Sequence, residues 1–328
     1  MSHYSVCVAI PSARLIGKEI TGCMVEEILD DILAPYDEGP DDYKYLTFED
    51  KTDEAHRDYE VEKTAAVKFP DGTIHSPYDS VFTKRFVVRD GHILERVNGD
   101  TIETPNSRGL ELVAEYPLNK LYSFEEYCAA YCSYSEHKGR WGYWGNPNAK
   151  WDWFAIGGRS SGAFLVKSDF QECLEVRDSA SHESGFKRVN GVRKGNVEWS
   201  ENHQRARQGY SARYELLCRC FKTGNITDLG PFAVLTDDGI QGWCETLYIK
   251  DESLDAYLER CGVGVEDRYV MGCYAFVDKQ GQWHSMGDMG WFGLSANDKD
   301  ERVWHDEIQK FLAELDEDDF LVMVDCHI

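Results

Sequence analysis

The chain opens with an apolar run and continues with apolar residues at helical spacing. Residues 4–10 are rich in β-branched and small apolar side chains and end at Pro11, which is typical of a strand. Apolar residues then recur every three or four positions up to Pro35, which predicts a helix that ends before that proline. The other face of this helix is acidic and carries Glu26, Glu27, Asp30 and Asp31.

The end of the chain predicts a hairpin, a helix and a last strand. Residues 274–277 and 282–284 flank a turn at residues 279–281. Residues 320–324 are apolar and predict the final strand. Between them, a helix is indicated by the spacing of Trp304, Ile308, Phe311, Leu312 and Leu315.

These elements predict an α+β fold with a mixed or antiparallel sheet and packed helices. One assembly that fits their order is a ferredoxin-like core, with its helices on one face and a large insertion. A length of 328 residues exceeds the common size of one domain. We therefore divide the chain into an acidic α+β region (1–122), an aromatic and glycine-rich region with a basic segment (123–230) and a C-terminal α+β region (231–328). One elaborated domain is the alternative.

The net charge of the chain limits the kinds of molecule that it can bind. The chain has 35 Lys and Arg against 59 Asp and Glu, a net charge of −24. Such a protein repels phosphates, so we expect no direct binding of nucleic acid. Residues 26–62 hold 15 of the acidic residues and only 3 basic ones. This stretch either keeps the protein soluble or forms a face that meets a basic partner.

The basic residues are concentrated in one segment. Residues 187–213 contain seven Lys and Arg against Glu198 and Glu201. This segment neutralises the protein's own acidic face, binds a phosphate-bearing ligand, or is simply a solvated loop and helix. The sequence leaves all three alternatives open.

The sequence indicates a cytoplasmic protein. No apolar run approaches 18 residues and no signal peptide is evident at the start, so we expect no membrane segment. The 11 cysteines include no CxxC pair, which argues against a zinc ribbon and, in a reducing compartment, against a structural disulfide.

Several longer motifs stand out. Residues 1–6 read MSHYSV, residues 33–38 read LAPYDE, and residues 146–159 read NPNAKWDWFAIGGR; the end of the chain carries GQWH at 281–284, GDMGWFG at 287–293 and VDCHI at 324–328. Together these motifs resemble a family of accessory proteins of tailed phages, prophages and some plasmids. The family has a Trp after its Gly-Gly-Arg, where this chain has Ser160, so a pocket lined by that Trp would be altered here. The resemblance implies a phage accessory protein and no specific reaction.

The central motif is the first candidate for chemistry. Trp151 and Trp153 can stack on a planar ligand, and Arg159 can fork onto a carboxylate or phosphate. Gly157 and Gly158 let a ligand approach the backbone closely, although their spacing is not that of a phosphate-binding loop. The structural alternative is an ion pair between Asp152 and Arg159, with both tryptophans filling a core.

The last strand supplies the second candidate. Alternation along a strand sends Asp325 and His327 to the same face, while Cys326 points to the other face and into the core. Asp325 and His327, together with Asp152, are therefore the candidate acid/base residues. His284 or Asp288 would complete either an acid/base pair or a metal site. The alternative is that His327 only hydrogen-bonds a neighbour, and we assign no metal or cofactor to the chain.

Two hypotheses about function follow. The first is a phage accessory protein that binds and inhibits a host protein with a basic surface, such as a defence nuclease complex, through its acidic faces. Inhibitors of this kind are often homo-oligomers. The second is an enzyme or binder for a nucleotide-like small molecule. No nucleophile elbow, HExxH, kinase or Walker motif is present, so whether the protein is an enzyme stays open.

Overall fold

The computed structural model describes residues 2–97, 102–105, 108–176, 182–183, 185–242, 246–264, 269, 271–290 and 294–328. Residues 291–293 of the GDMGWFG motif lie outside this set. The sequence also predicts a strand over residues 242–249, of which residues 243–245 lie outside it. Within the described residues, no helix is both long enough and apolar enough to span a membrane.

The fold is α+β. The helices are α1 (Gly22–Leu33), α2 (Thr52–Val61), α3 (Ser80–Thr83), α4 (Phe124–Glu126), α5 (Trp199–Thr223), α6 (Leu254–Arg260) and α7 (Glu301–Glu314). The strands are β1 (His3–Ile10), β2 (Thr47–Asp50), β3 (Lys63–Lys68), β4 (Ile74–His75), β5 (Phe86–Arg89), β6 (His92–Val97), β7 (Ile102–Pro105), β8 (Glu111–Pro117), β9 (Ser135–His137), β10 (Arg140–Gly145), β11 (Trp153–Ile156), β12 (Phe164–Lys167), β13 (Cys173–Glu175), β14 (His182–Glu183), β15 (Phe186–Arg193), β16 (Val234–Thr236), β17 (Gly239–Gln241), β18 (Thr246–Ile249), β19 (Ala275–Val277), β20 (Trp283–Ser285), β21 (Asp288–Met289), β22 (Ser295–Ala296) and β23 (Phe320–His327).

The chain folds into two compact units. The first joins residues 1–39 to residues 148–328, and the second comprises residues 40–147. These boundaries differ from the three consecutive regions predicted from the sequence. The first unit is assembled from both ends of the chain, and composition along the chain does not reveal a pairing between segments that far apart.

The first unit is built on one large sheet. Its main strand order is β12-β15-β23-β1-β19-β20, and β11 also pairs with β23. β1 runs antiparallel to β23 and parallel to β19, which forms a hairpin with β20. Every residue of β23 is buried, so the last strand of the chain is the centre of the sheet.

Helices cover both faces of this sheet. Val6 and Val8 of β1 share a core cluster with α1, whereas Cys7 and Ala9 share another with α7. The ferredoxin-like prediction is therefore wrong in two respects. In a ferredoxin-like fold both helices lie on one face of the sheet, whereas here α1 and α7 lie on opposite faces. In that fold the second strand of the hairpin lies beside the first strand of the sheet's chain order, whereas here the first hairpin strand, β19, lies beside β1. The unbroken apolar run in β1 reflects burial on both of its faces.

Further elements complete the first unit. α5 extends over 25 residues, ends before Gly224, which has a φ of +70°, and shares an apolar cluster with α6 and with strands of the small sheet β16-β17-β18. The basic segment, residues 187–213, thus forms most of β15, a short connecting turn and the first part of α5.

In its described residues, the second unit contains three three-stranded sheets, β2-β10-β9, β4-β3-β8 and β5-β6-β7. One apolar cluster lies around Val67, Phe82 and Phe86, and another around Ala55, Leu118 and Tyr127.

Candidate functional site

The candidate site lies in the first unit, at the end of the central strand. His327 of β23 is paired in register with His3 of β1 on one side and with Trp153 of β11 on the other. Asp325, two residues earlier, lies on the same face of the strand, as alternation predicts. Cys326 points to the opposite face and belongs to the core beneath α1.

Two His–Asp pairs form here. Nδ1 of His327 lies 2.6 Å from Oδ1 of Asp152, and Nδ1 of His3 lies 3.2 Å from both carboxylate oxygens of Asp325. Since a carboxylate accepts hydrogen bonds, the Nδ1–H of each imidazole is the donor. We call His3, Asp152, Trp153, Asp325 and His327 the terminal His–Asp cluster.

The three rings of the cluster pack on one another. Trp153 stacks on His327 with ring centroids 5.0 Å apart and an interplanar angle of 17°, and His3 meets both rings edge-on. Trp153 is 45% exposed, whereas His327 is only 6% exposed. The indole therefore covers the imidazole on the solvent side.

Asp325 is held by the backbone of the Gly-Gly-Arg motif. The amide N–H of Arg159 donates to Oδ2 of Asp325 at 2.9 Å. Gly158 has a φ of +48°, and a Cβ on it would overlap the side chain of Asp325. Only glycine allows this approach without displacement of the carboxylate.

Gly157 allows a second close contact, with the side chain of Asn190. It has a φ of +74°, and a Cβ there would lie 2.6 Å from atoms of the buried Asn190 side chain. Oδ1 of Asn190 accepts hydrogen bonds from Ser161 Oγ at 3.0 Å and from the Gly162 amide at 2.8 Å. The glycine pair thus admits protein side chains to the turn, where the sequence predicts approach of a ligand.

One atom of the cluster is left without a partner. Nε2 of His327 is buried and accepts or donates no hydrogen bond. A buried polar atom in this state costs free energy, because it has lost water and gained nothing in exchange. In the tautomer whose Nδ1–H is donated to Asp152, Nε2 carries a lone pair and can accept a hydrogen bond.

Two of the predicted side chains lie outside this arrangement. Trp151 is 7% exposed, belongs to the core, and donates its indole N–H to the carbonyl of Leu33 at 3.3 Å. It is not available for stacking on a ligand. Arg159 is exposed, and the predicted ion pair between Asp152 and Arg159 is not formed, because Asp152 bonds His327 instead.

The predicted additions to Asp325 and His327 are also placed elsewhere. His284 pairs with Asp278 at 3.1 Å and stacks on Phe276, and Asp288 accepts a hydrogen bond from Asn297. Among the described residues, no group of three or more His, Cys, Asp or Glu side chains is arranged to hold a metal ion. The sequence patterns did not mark His3 as a site residue. Its signals were its place in the MSHYSV motif and at the start of the first predicted strand.

A cavity of about 630 Å³ lies beside the same turn. Phe154, Ile156, Gly158 and Asn190 line it, together with Cys23 and other residues near the start of α1. Asp325 and His327 are not among the described residues of its wall. The Trp151–Arg159 segment therefore borders both the cavity and the cluster, but the two are not one pocket.

The basic segment is engaged in ion pairs within the first unit. The buried Lys187 and Lys194 lie 2.7 Å from Glu175 and 2.9 Å from Glu317, respectively. The partner carboxylates of these two lysines lie outside the acidic stretch at residues 26–62.

No protein-family model, curated protein or solved structure matches this chain, so its function has to be inferred from the site itself.

Proposed function

We propose that the terminal His–Asp cluster binds a small planar anion of the nucleotide type. The observation that carries this proposal is the buried Nε2 of His327, which has no partner while Nδ1 is fixed by Asp152. An N–H or O–H of a ligand would satisfy it. A histidine oriented by a carboxylate in this way is also suited to accept a proton from a bound substrate.

The neighbouring groups supply the rest of the recognition. Trp153 stacks on His327 and keeps nearly half of its surface exposed, so a planar ring can lie on it or displace it. Arg159 is fixed through its amide to Asp325 and carries an exposed guanidinium suited to a phosphate. Because Nε2 is covered, a ligand reaches it only when the Trp153 side chain moves.

The test is a titration of the whole chain with AMP, GMP, CMP and UMP, monitored by NMR at the imidazole nitrogens of His327. We expect one nucleotide to shift the Nε2 resonance and His327→Gln to weaken its binding at least about tenfold, the loss of one charge-assisted or buried hydrogen bond. His284→Gln is the matched control, because His284 has its own carboxylate partner, Asp278, and lies outside the cluster.

Two results would overturn the proposal. One is the absence of any shift at His327 with all four nucleotides at millimolar concentration. The other is binding that His327→Gln and His284→Gln weaken equally, because the cluster would then have no special part in it.

A second candidate function is supported by the surface of α1. Glu26, Glu27, Asp30 and Asp31 are all exposed, and Asp31 is bonded to Arg14. Desolvation, followed by the negative charges of Glu26 and Glu27, raises the pKa of Asp30. We propose that this face binds a basic host protein and inhibits it, the role expected of a phage accessory protein.

This second proposal is tested by capture from bacterial lysate at 50 and 500 mM salt, conditions that differ several-fold in screening length, about 14 against 4 Å. We expect a specific partner that is lost at high salt and lost with Glu26→Lys/Glu27→Lys. Glu215→Lys/Glu314→Lys, which makes the same charge change on exposed sites of α5 and α7, should retain it. A partner that is insensitive to salt, or equally sensitive to both variants, contradicts the proposal.

A further inference from the structure

The second unit carries an exposed group of aromatic side chains on one face of the sheet β2-β10-β9. Trp144 of β10 pairs in register with Phe48 of β2 and contacts His137 of β9 and Tyr43, with ring centroids 5.4, 4.9 and 6.1 Å from its own. Tyr43 is 72% exposed and Trp144 36%. We call Tyr43, Phe48, His137 and Trp144 the aromatic corner.

The rings of the aromatic corner stand at steep angles to one another. The interplanar angles with Trp144 are 83° for Tyr43, 61° for Phe48 and 76° for His137. None of these three rings therefore stacks face to face on Trp144. Ring faces set at such angles are the arrangement that attracts organic cations, because the face of each ring carries the negative end of its quadrupole.

The opposite face of this sheet is occupied, which makes the aromatic corner the outer face. Trp141 lies three positions before Trp144 on β10 and therefore on the opposite face, where it packs against the cluster that contains Ala55 and Tyr127. Gly142 is buried, and a Cβ there would collide with the carbonyl of Glu49 and lie 3.1 Å from the ring of Phe48. The ring of Phe48 thus lies over the strand on the outer side.

The net charge of the second unit favours a cation over an anion at the corner. Residues 40–147 contain twenty Asp and Glu against thirteen Lys and Arg. Two cations at the corner are already paired on the protein, Lys44 with Asp42 and Arg140 with Asp50. Exposed aromatic rings also stack on nucleic-acid bases, but a negatively charged unit repels the phosphates that accompany them.

We propose that the aromatic corner is a docking site for a basic segment of a partner protein, with an arginine side chain lying on the rings. The guanidinium group is planar and stacks on aromatic faces as well as carrying charge. This inference deepens the second proposed function, because it names the chemistry of the partner. It adds a separate contact on the second unit to the one proposed for α1.

The probe is a six-residue peptide of alternating glycine and arginine, and the control is the same peptide with citrulline, a neutral isostere of arginine. The protein is labelled with 5-fluorotryptophan, and the resonance of Trp144 is assigned from its loss in Trp144→Phe. We expect the arginine peptide to shift this resonance and the citrulline peptide to bind about two- to fivefold more weakly, the factor expected for one exposed cation–π contact.

Variants locate the site without placing the fold at risk. Tyr43→Ala removes a side chain that is mostly in solvent and should weaken the arginine peptide at least about threefold. Tyr78→Ala is the matched control, since Tyr78 is 84% exposed in the same unit and lies outside the corner. Lys138→Gln, which removes an exposed positive charge in the turn after β9, should tighten binding.

The result that would overturn the inference is equal affinity for the two peptides, or equal effects of Tyr43→Ala and Tyr78→Ala. Binding of a thymidine oligonucleotide in preference to the arginine peptide would also overturn it and assign the corner to single-stranded nucleic acid. Glu26→Lys/Glu27→Lys should leave the peptide affinity unchanged. Loss of a lysate partner in that variant therefore reports on the α1 proposal alone.

Discussion

The turn at Gly158 offers a direct test of how the terminal His–Asp cluster is held together. In Gly158→Ala the new methyl group would occupy the space of the Asp325 side chain, with Oδ2 only 2.5 Å away. The left-handed backbone at φ +48° costs an L residue about 1–2 kcal/mol, and forcing a methyl group into a packed site adds about 1–3 kcal/mol. The free energy of unfolding of the first unit should therefore fall by about 2–5 kcal/mol.

Gly281→Ala separates the two costs. Gly281 belongs to the turn of the β19–β20 hairpin in the same unit and has a φ of +80°, but a Cβ there meets nothing within 4 Å. This variant should lose only the backbone cost, about 1–2 kcal/mol. Hydrogen exchange of the β23 amides, combined with urea unfolding, measures both variants in the same unit. If they lose equal stability, then Gly158 is required for its backbone angle alone, and contact with Asp325 is not what selects glycine there.

Three further outcomes follow from burial and charge. Trp151→Ala should lower the unfolding free energy by about 3–5 kcal/mol, and Trp153→Ala by less than half of that, because only Trp151 fills the core; urea denaturation that ranks them in the opposite order would contradict this. Peptide mass spectrometry after maleimide treatment should show Cys23 modified in the folded protein and Cys326 modified only after unfolding, because Cys23 is exposed whereas burial raises the pKa of the Cys326 thiol. Modification of Cys326 in the folded protein would contradict its place in the core. Hydrogen bonds from Thr52, and after them the hydrogen bond from Arg140, lower the pKa of Asp50 to about 2, so the contribution of the Asp50 carboxylate to stability should be present above its ordinary pKa of 3.8 and lost as the pH falls through about 2. An NMR titration in which Thr52→Ala leaves this pKa unchanged would refute the assigned cause.

Local patterns in the sequence were sufficient for the elements that form the centre of the first unit. The strand after residue 3, the helix that ends before Pro35, the C-terminal hairpin, α7 and the last strand are all present. Period-two alternation also placed Asp325 and His327 on one face and Cys326 on the other. These predictions succeed because backbone geometry fixes which residues of one strand or helix share a face.

The partners within the site depended on tertiary structure. His3 and Asp325 are separated by 322 residues along the chain, and Asp152 and His327 by 175. Their contacts follow from the register of β1 and β11 against β23, which no short segment specifies. The same register separates the two adjacent tryptophans of the motif, with Trp151 in the core and Trp153 over His327.

The sequence by itself thus determined the class of fold, the central elements and the face on which the candidate groups of each strand lie. Only the tertiary structure decided that residues 40–147 form a separate unit, that helices cover both faces of the sheet, and that each histidine of the cluster is bonded to a carboxylate from another part of the chain. The physical reason is that side-chain direction is a local property of the backbone. Strand order and register are set by burial summed over contacts between segments that are distant in the sequence.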